Sequence, residues 1–166
     1  MDVSTITLQP SQSPQPLGEA SLKFCLNAET QAVFLMRQVQ EVLSLPRHRL
    51  TPMPNMPASV LGLMYRRSRV MWVVDLAALL GMPSLGMKSQ HLDLIIVQGG
   101  TMRLALAVQQ VDTMFWLPPQ DVQPSPSHAK PALLAYLRGC ILRDQEILWV
   151  LDADAITQSS NLHLTN

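Results

Sequence analysis

Charge is scarce in this chain. Only 14% of its 166 residues are Asp, Glu, Lys or Arg, and 12 basic residues balance 12 acidic ones. A protein that grips nucleic acid through its phosphates needs an excess of Lys and Arg, so general nucleic-acid binding is set aside. Cysteine is nearly missing. Cys25 and Cys140 show no CxxC or Cys/His spacing, so no metal site is expected. Both read as reduced thiols in or beside strands, with a disulfide left open. His48, His91, His128 and His163 fall in predicted loops or the tail, none paired at metal-ligand spacing. GxSxG, P-loop and HExxH motifs are lacking, so neither catalysis nor a cofactor is expected. The opening MDVSTITLQP lacks the basic-then-apolar order of a secretion signal. No uncharged apolar run reaches the roughly 18 residues of a membrane span. The expectation is a cytoplasmic protein with no direct membrane insertion, associating with membranes through a partner.

What is abundant is apolar surface. Apolar residues make up 48% of the chain, with 10 Met and 13 Pro. Most of the Met residues read as core filler. A sparsely charged surface still points to an exposed apolar patch of the kind that binds other proteins.

The chain contains a repeat, and repeats are sought first. Residues 60–81, VLGLMYRRSRVMWVVDLAALLG, are echoed by residues 137–156, LRGCILRDQEILWVLDADAI. Gly62, Trp72 and Asp75 meet Gly139, Trp149 and Asp152 at an offset of 77. Upstream, Val39, Leu45, Pro46, Pro52 and Pro54 meet Val111, Leu117, Pro118, Pro124 and Pro126 at an offset of 72. An insertion of five residues near 127–131 reconciles the two offsets. The repeat units run over about 22–81 and 92–157. Residues 1–20, rich in Ser, Gln and Pro, read as a flexible leader, and 158–166 as a polar tail that frays after Ser159.

Many short strands, close turn signals and no long amphipathic helix predict an all-β fold with short helices. Strands are expected at Leu22–Leu26, Ala32–Met36 and Val39–Leu43, and a helical turn at 58–63 broken by Gly62. Gly62 is read as opening the turn that carries the arginines. Val70–Val74 is apolar throughout, which predicts burial on both faces. Asp75 and Asp152 read as N-caps of short helices rather than a catalytic pair. The Gly99-Gly100 pair predicts a hairpin between 92–98 and 101–108. Trp72, Trp116 and Trp149 read as core residues. Each unit supplies about five strands, which suggests two five-stranded barrels.

Arg66, Arg67 and Arg69 are the notable polar cluster. Three readings stay open: a solvated turn, an anion site, and an arginine that forks onto a partner's carboxylate or carbonyl.

Taken in order, these motifs resemble the CheW-like domain, the adaptor of bacterial chemotaxis signalling. Val39-Gln-Glu-Val42 matches the family's Val-x-Glu-Val strand. Pro52, Pro54 and Pro57 match its proline loop. Gly62–Ser68 matches its Gly-x-x-x-Leu-Arg-Gly turn, and Val74-Asp75-Leu76 its Val-Asp-Leu strand end. The resemblance covers about residues 21–157. Tyr65, Arg66 and Ser68 depart from the family's Asn, Leu and Gly, as Trp72 and Ala77 do from its Pro and basic residue. The resemblance implies two SH3-like barrels and no enzymatic activity. It implies a bridge between a chemoreceptor's cytoplasmic tip and the regulatory domain of a CheA-type histidine kinase, in flagellar, pilus or phototaxis-type signalling. Carried over by position, the binding residues are Val39, Glu41, Val42, Gly62, Arg67 and Ser68. Kinase contacts are expected on exposed apolar residues, near Leu92–Val111. The alternative is a small-molecule or anion-binding barrel that uses the arginine cluster.

Overall fold

The structure is a computed structural model that describes residues 18–83 and 89–162. Ten strands form two antiparallel-rich sheets of five. In chain order they are β1 (Glu19–Cys25), β2 (Gln31–Leu35), β3 (Val39–Pro46), β4 (Val60–Arg66) and β5 (Arg69–Asp75), then β6 (His91–Gly99), β7 (Met102–Val108), β8 (Gln110–Leu117), β9 (Leu137–Arg143) and β10 (Glu146–Leu151). Three short helices follow: α1 (Leu76–Leu79), α2 (Pro131–Leu134) and α3 (Ala153–Thr157).

The sheet orders are β8-β1-β2-β10-β9 and β3-β6-β7-β5-β4. The first is barrel A and the second barrel B. Each draws strands from both sequence repeats, and the two orders superpose if β1–β5 are exchanged for β6–β10. The repeat therefore builds a pseudo-twofold, in which neither unit owns a barrel. The parallel pairs β2–β10 and β5–β7 occupy equivalent places.

Alternation explains why so many strands are apolar on both faces. In β6, Leu92, Leu94 and Ile96 fill the interior of barrel B, whereas Ile95 and Val97 face a core shared by both barrels. β7 divides in the same way, with Ala105 and Ala107 inside barrel B and Leu104 and Leu106 in the shared core. In β10, Leu148 and Val150 fill barrel A while Leu151 joins the shared core. A period-two strand between two apolar environments reads as a continuous hydrophobic run. Phe24 and Phe34 stack in the shared core with ring centroids 5.2 Å apart. Trp72 and Trp149 pack against that core, half-buried, at equivalent positions.

The helix caps form as the sequence predicts. Asp75 Oδ1 accepts from the Ala78 amide at 3.2 Å, and Asp152 Oδ1 from the Asp154 amide at 3.0 Å. Several expectations are corrected. The stretch expected to make a helical turn at 58–63 enters strand β4 instead, and Gly62 lies inside that strand rather than opening a turn. It sits beside a bulge at Leu61, and its Cα faces the backbone of Thr51, which bridges to the next residue, Leu63. A glycine is needed there because φ is +148° and because a Cβ would lie 2.9 Å from the Thr51 carbonyl carbon and closer still to its oxygen. Gly139 stands in the same relation to Gln123. Val70 is 63% exposed, so β5 is buried on both faces only beyond its first turnward residues. Trp116 is 53% exposed and is not a core residue, because β8 is an edge strand and this side chain alternates outward. Strand β1 begins at Glu19, inside the expected leader, and Ser160–Leu162 forms a turn that buries Leu162 in the shared core, inside the expected tail. Most of the expected leader, residues 1–17, lies outside the described residues.

Candidate functional site

Two bulges shape a strongly polar region of barrel B. β3 carries an extra residue, Gln40, between Val39 and Glu41, and β4 carries Leu61. Bulges re-aim the side chains that follow them. Beyond the first, Glu41 meets Arg66 at the end of β4. Arg66 Nε donates to Glu41 Oε2 at 3.1 Å and Nη2 donates to Oε1, a two-pronged fork. Arg67 Nη2 stands 3.6 Å from the same Oε1. The fork ties the two edge strands of the sheet together across the barrel opening, since β3 and β4 are the sheet's ends.

The hairpin between β4 and β5 turns on two residues. Arg67 has φ +50° and Ser68 has φ +63°. A two-residue turn of this mirror-image type suits the twist of the flanking strands but favours Asn and Gly. Here a bulky arginine occupies the first left-handed position, and its side chain is 78% exposed. Asp144 and Gln145 adopt the same conformation in the β9–β10 hairpin.

The pseudo-twofold supplies an internal comparison. Glu41 corresponds to Thr113, and Arg66 to Arg143. Thr113 offers no carboxylate, and Arg143, which pairs with Glu146 across β9–β10, lies over the Phe115 ring, 4.7 Å from its centroid. The ion-paired cluster is therefore a feature of barrel B alone, laid on a frame that both barrels share.

The hydrogen bonds from Arg66 hold the Glu41 carboxyl below the usual carboxylate range, against a smaller opposing effect of burial. Because the folded value lies below the unfolded one, this stabilisation is complete above the unfolded value of about 4.3 and is lost as pH falls through the folded value. Wild type is expected to lose stability more steeply than Glu41→Gln below about pH 4.3. Chemical denaturation from pH 7 to 3 measures this, and parallel pH profiles would refute it.

The structure brings Glu41, Arg67 and Ser68 to one end of barrel B and keeps the other predicted site residues apart from them. Val39 packs against the shared core, Val42 is exposed on β3, and Gly62 lies buried inside β4 against Thr51. Arg66 was missed as the partner of Glu41, since 25 residues separate them in sequence. Exposed apolar residues were also missed as a set. Tyr65 and Val70 pair across β4–β5, and Leu142 and Ile147 pair across β9–β10 at the equivalent register. Val42 and Met114 are equivalent and exposed too. The offsets of 72 and 77 would have matched all three couples. By contrast, Leu92–Val111 supplies two interior strands of barrel B, β6 and β7, and nearly all their large apolar side chains are buried.

Among the described residues, no group of His, Cys, Asp and Glu is placed to hold a metal ion. Among them also, no helix is long and apolar enough to cross a membrane. Cys25 and Cys140 are free thiols, both raised above the usual thiol value by burial.

A family model described as the CheW-like domain matches residues 21–161. The chain is 29% identical to "Chemotaxis protein CheW" of Rhizobium meliloti over 109 residues, which is 66% of this chain and 70% of that one. It is 27% identical to "Probable chemotaxis protein CheW" of Rhizobium etli over 106 residues, 64% of this chain and 68% of that one. Its fold is similar to the crystal structure of the scaffolding protein TtCheW from Thermoanaerobacter tengcongensis. The TM-score is 0.76 at 20% identity, covering 89% of this chain and 97% of that one.

Proposed function

Since the chain belongs to the CheW-like domain family, whose members act as scaffolds of chemotaxis signalling, we propose that it is a non-enzymatic adaptor that couples a chemoreceptor's cytoplasmic tip to the regulatory domain of a CheA-type histidine kinase. The observation that carries this reading is the arginine hairpin of barrel B. Arg66 is committed to Glu41, whereas Arg67 is held at the tip of a rigid two-residue turn with most of its side chain in solvent. A guanidinium presented in this way offers a partner's carboxylate or carbonyl a planar fork of donors. Ser68 forms the turn with Arg67, Val39 and Gly62 serve the site at a distance by anchoring β3 and β4, and Val42 offers an exposed apolar contact on β3.

The exposed apolar couples suit contact with the kinase. Tyr65 with Val70, and Leu142 with Ile147, stand at the free ends of the two barrels. Apolar side chains so exposed on a sparsely charged protein favour association. Any membrane localisation would follow from the receptor.

Titration of the purified protein against a receptor tip and a kinase regulatory domain tests the reading. Arg67→Glu is expected to weaken receptor binding about 10-fold or more, equivalent to ~1.4 kcal/mol, with folding unchanged. A receptor titration that the substitution leaves unaltered removes Arg67 from the site. Failure of the folded wild type to bind either partner removes the adaptor reading.

A further inference from the structure

Beside the Glu41–Arg66 fork lies a cavity of about 310 Å³ walled by Arg66, Arg67, Arg69 and Arg103. Glu41 is the one carboxylate in its lining, so four guanidiniums against one carboxylate leave a formal charge of +3. This is a local excess in a chain whose net charge is zero, and it uses four of the 12 basic residues. Arg66 and Arg69 face each other directly across β4–β5. Like charges so placed destabilise an empty sheet, and the cost is relieved when an anion lies between them.

The four arginines are not equally occupied. Glu41 takes both prongs of Arg66 and stands near Arg67. Among the described residues neither Arg69 nor Arg103 has a carboxylate within ion-pair distance. Arg103 is steadied by a neutral group, donating from Nε to Gln98 Oε1 at 3.1 Å. The cavity floor is apolar, formed by the nearly buried Met71 and Ile96. A low-dielectric wall behind charges of one sign concentrates their field on the space in front. The volume is at the lower end for small-molecule sites.

From this geometry we infer that the cavity is a binding site for a small dianion of the phosphate class, held by Arg69 and Arg103 with Arg66 and Arg67 at its edge. The planar donor forks of arginine match the oxygens of such a group two at a time. The inference does not depend on the adaptor role, because Arg69 and Arg103 are outside the residues assigned to partner binding. Occupancy would place a negative charge next to Arg67, so bound anion and receptor would compete for it.

Calorimetric titration with inorganic phosphate, at ionic strength held constant with sodium chloride, tests the site. Wild type is expected to show saturable binding. Arg69→Gln and Arg103→Gln, both exposed side chains whose replacement leaves the core intact, should each weaken it about 10-fold or more, within the range of a lost charge-assisted hydrogen bond. Phosphate stabilises most proteins by exclusion from their surfaces, so a thermal shift counts only as the difference between wild type and the Arg69→Gln/Arg103→Gln double variant. Saturable binding by wild type that the double variant loses supports the site. Absence of saturable heat with wild type, or an affinity in the variants equal to that of wild type, overturns it. Receptor and kinase binding by Arg69→Gln should match wild type, so either proposal can fail alone.

Discussion

Gly62→Val is expected to lower the melting temperature by about 6 °C or more. Two costs combine. A valine at φ +148° is in a region that L residues with a β-branch avoid, at about 1–3 kcal/mol. Its Cβ would also overlap the Thr51 carbonyl, which is fixed backbone rather than a flexible side chain. Overpacking of this kind costs ~1–3 kcal/mol. Together these give roughly 3 kcal/mol, and a chain of this length loses about 2–4 °C per kcal/mol. The Thr51–Leu63 bridges, both at 2.8 Å, should be the first to go, taking the proline loop off β4. Gly139→Val should show a smaller loss in barrel A, where the Gln123 carbonyl occupies the place of Thr51's but the glycine has no left-handed φ to strain. Thermal unfolding of both variants measures this, and a melting temperature within 2 °C of wild type for Gly62→Val would show that the loop yields instead.

The larger effect is expected from dividing the chain between Pro83 and Ser89. Although this cut separates the sequence repeats, it leaves both barrels incomplete. The first fragment keeps β3, β4 and β5 of barrel B but loses β6 and β7, the strands between β3 and β5. It keeps β1 and β2 of barrel A but loses the β8 and β10 strands on either side. Each fragment alone should therefore show no cooperative melt, and equimolar mixing should restore one, with a midpoint that rises with concentration. Circular dichroism on the separate and mixed fragments decides it. A cooperative transition in residues 18–83 alone would mean that a repeat unit is a folding unit after all.

Much of the fold was legible because the duplication carries redundant signals. Asp75 and Asp152 cap helices at the offset that also aligns Trp72 with Trp149, so two weak motifs confirm each other. The exchange of strands between repeats was not legible. Pairing partners such as β2 and β10 are more than 100 residues apart, and nothing local in Gln31–Leu35 names Leu148–Val150 as its neighbour. The burial of Gly62 within a strand was hidden for a related reason. Its glycine requirement comes from Thr51, eleven residues upstream, and not from a turn of its own. At the site, the cluster of arginines was visible, but the division of labour within it was not. Which of Arg66 and Arg67 meets Glu41 depends on a bulge at Gln40 and on two left-handed residues at the hairpin tip. Position in a motif points to Arg67, whereas the strand geometry gives Glu41 to Arg66.

Barrel B is uninterrupted in the sequence, from Val39 to Val108, and the strands of barrel A lie on either side of it. As the chain leaves the ribosome, barrel B can close once Val108 is out. β1 and β2 emerge before it but must wait for β8 to β10. The ribosome adds the 43 residues from Gln109 to Leu151 at about 5–20 per second, a delay of roughly 2–9 s. Throughout that interval the outward Val74, Ile95 and Leu106 of barrel B lack the part of their cover that Leu151, Ala153 and Ile156 supply, beside a two-stranded ribbon with open edges. A ribosome-bound chaperone would meet this protein in that state, with its amino-terminal strands as the surface to be guarded.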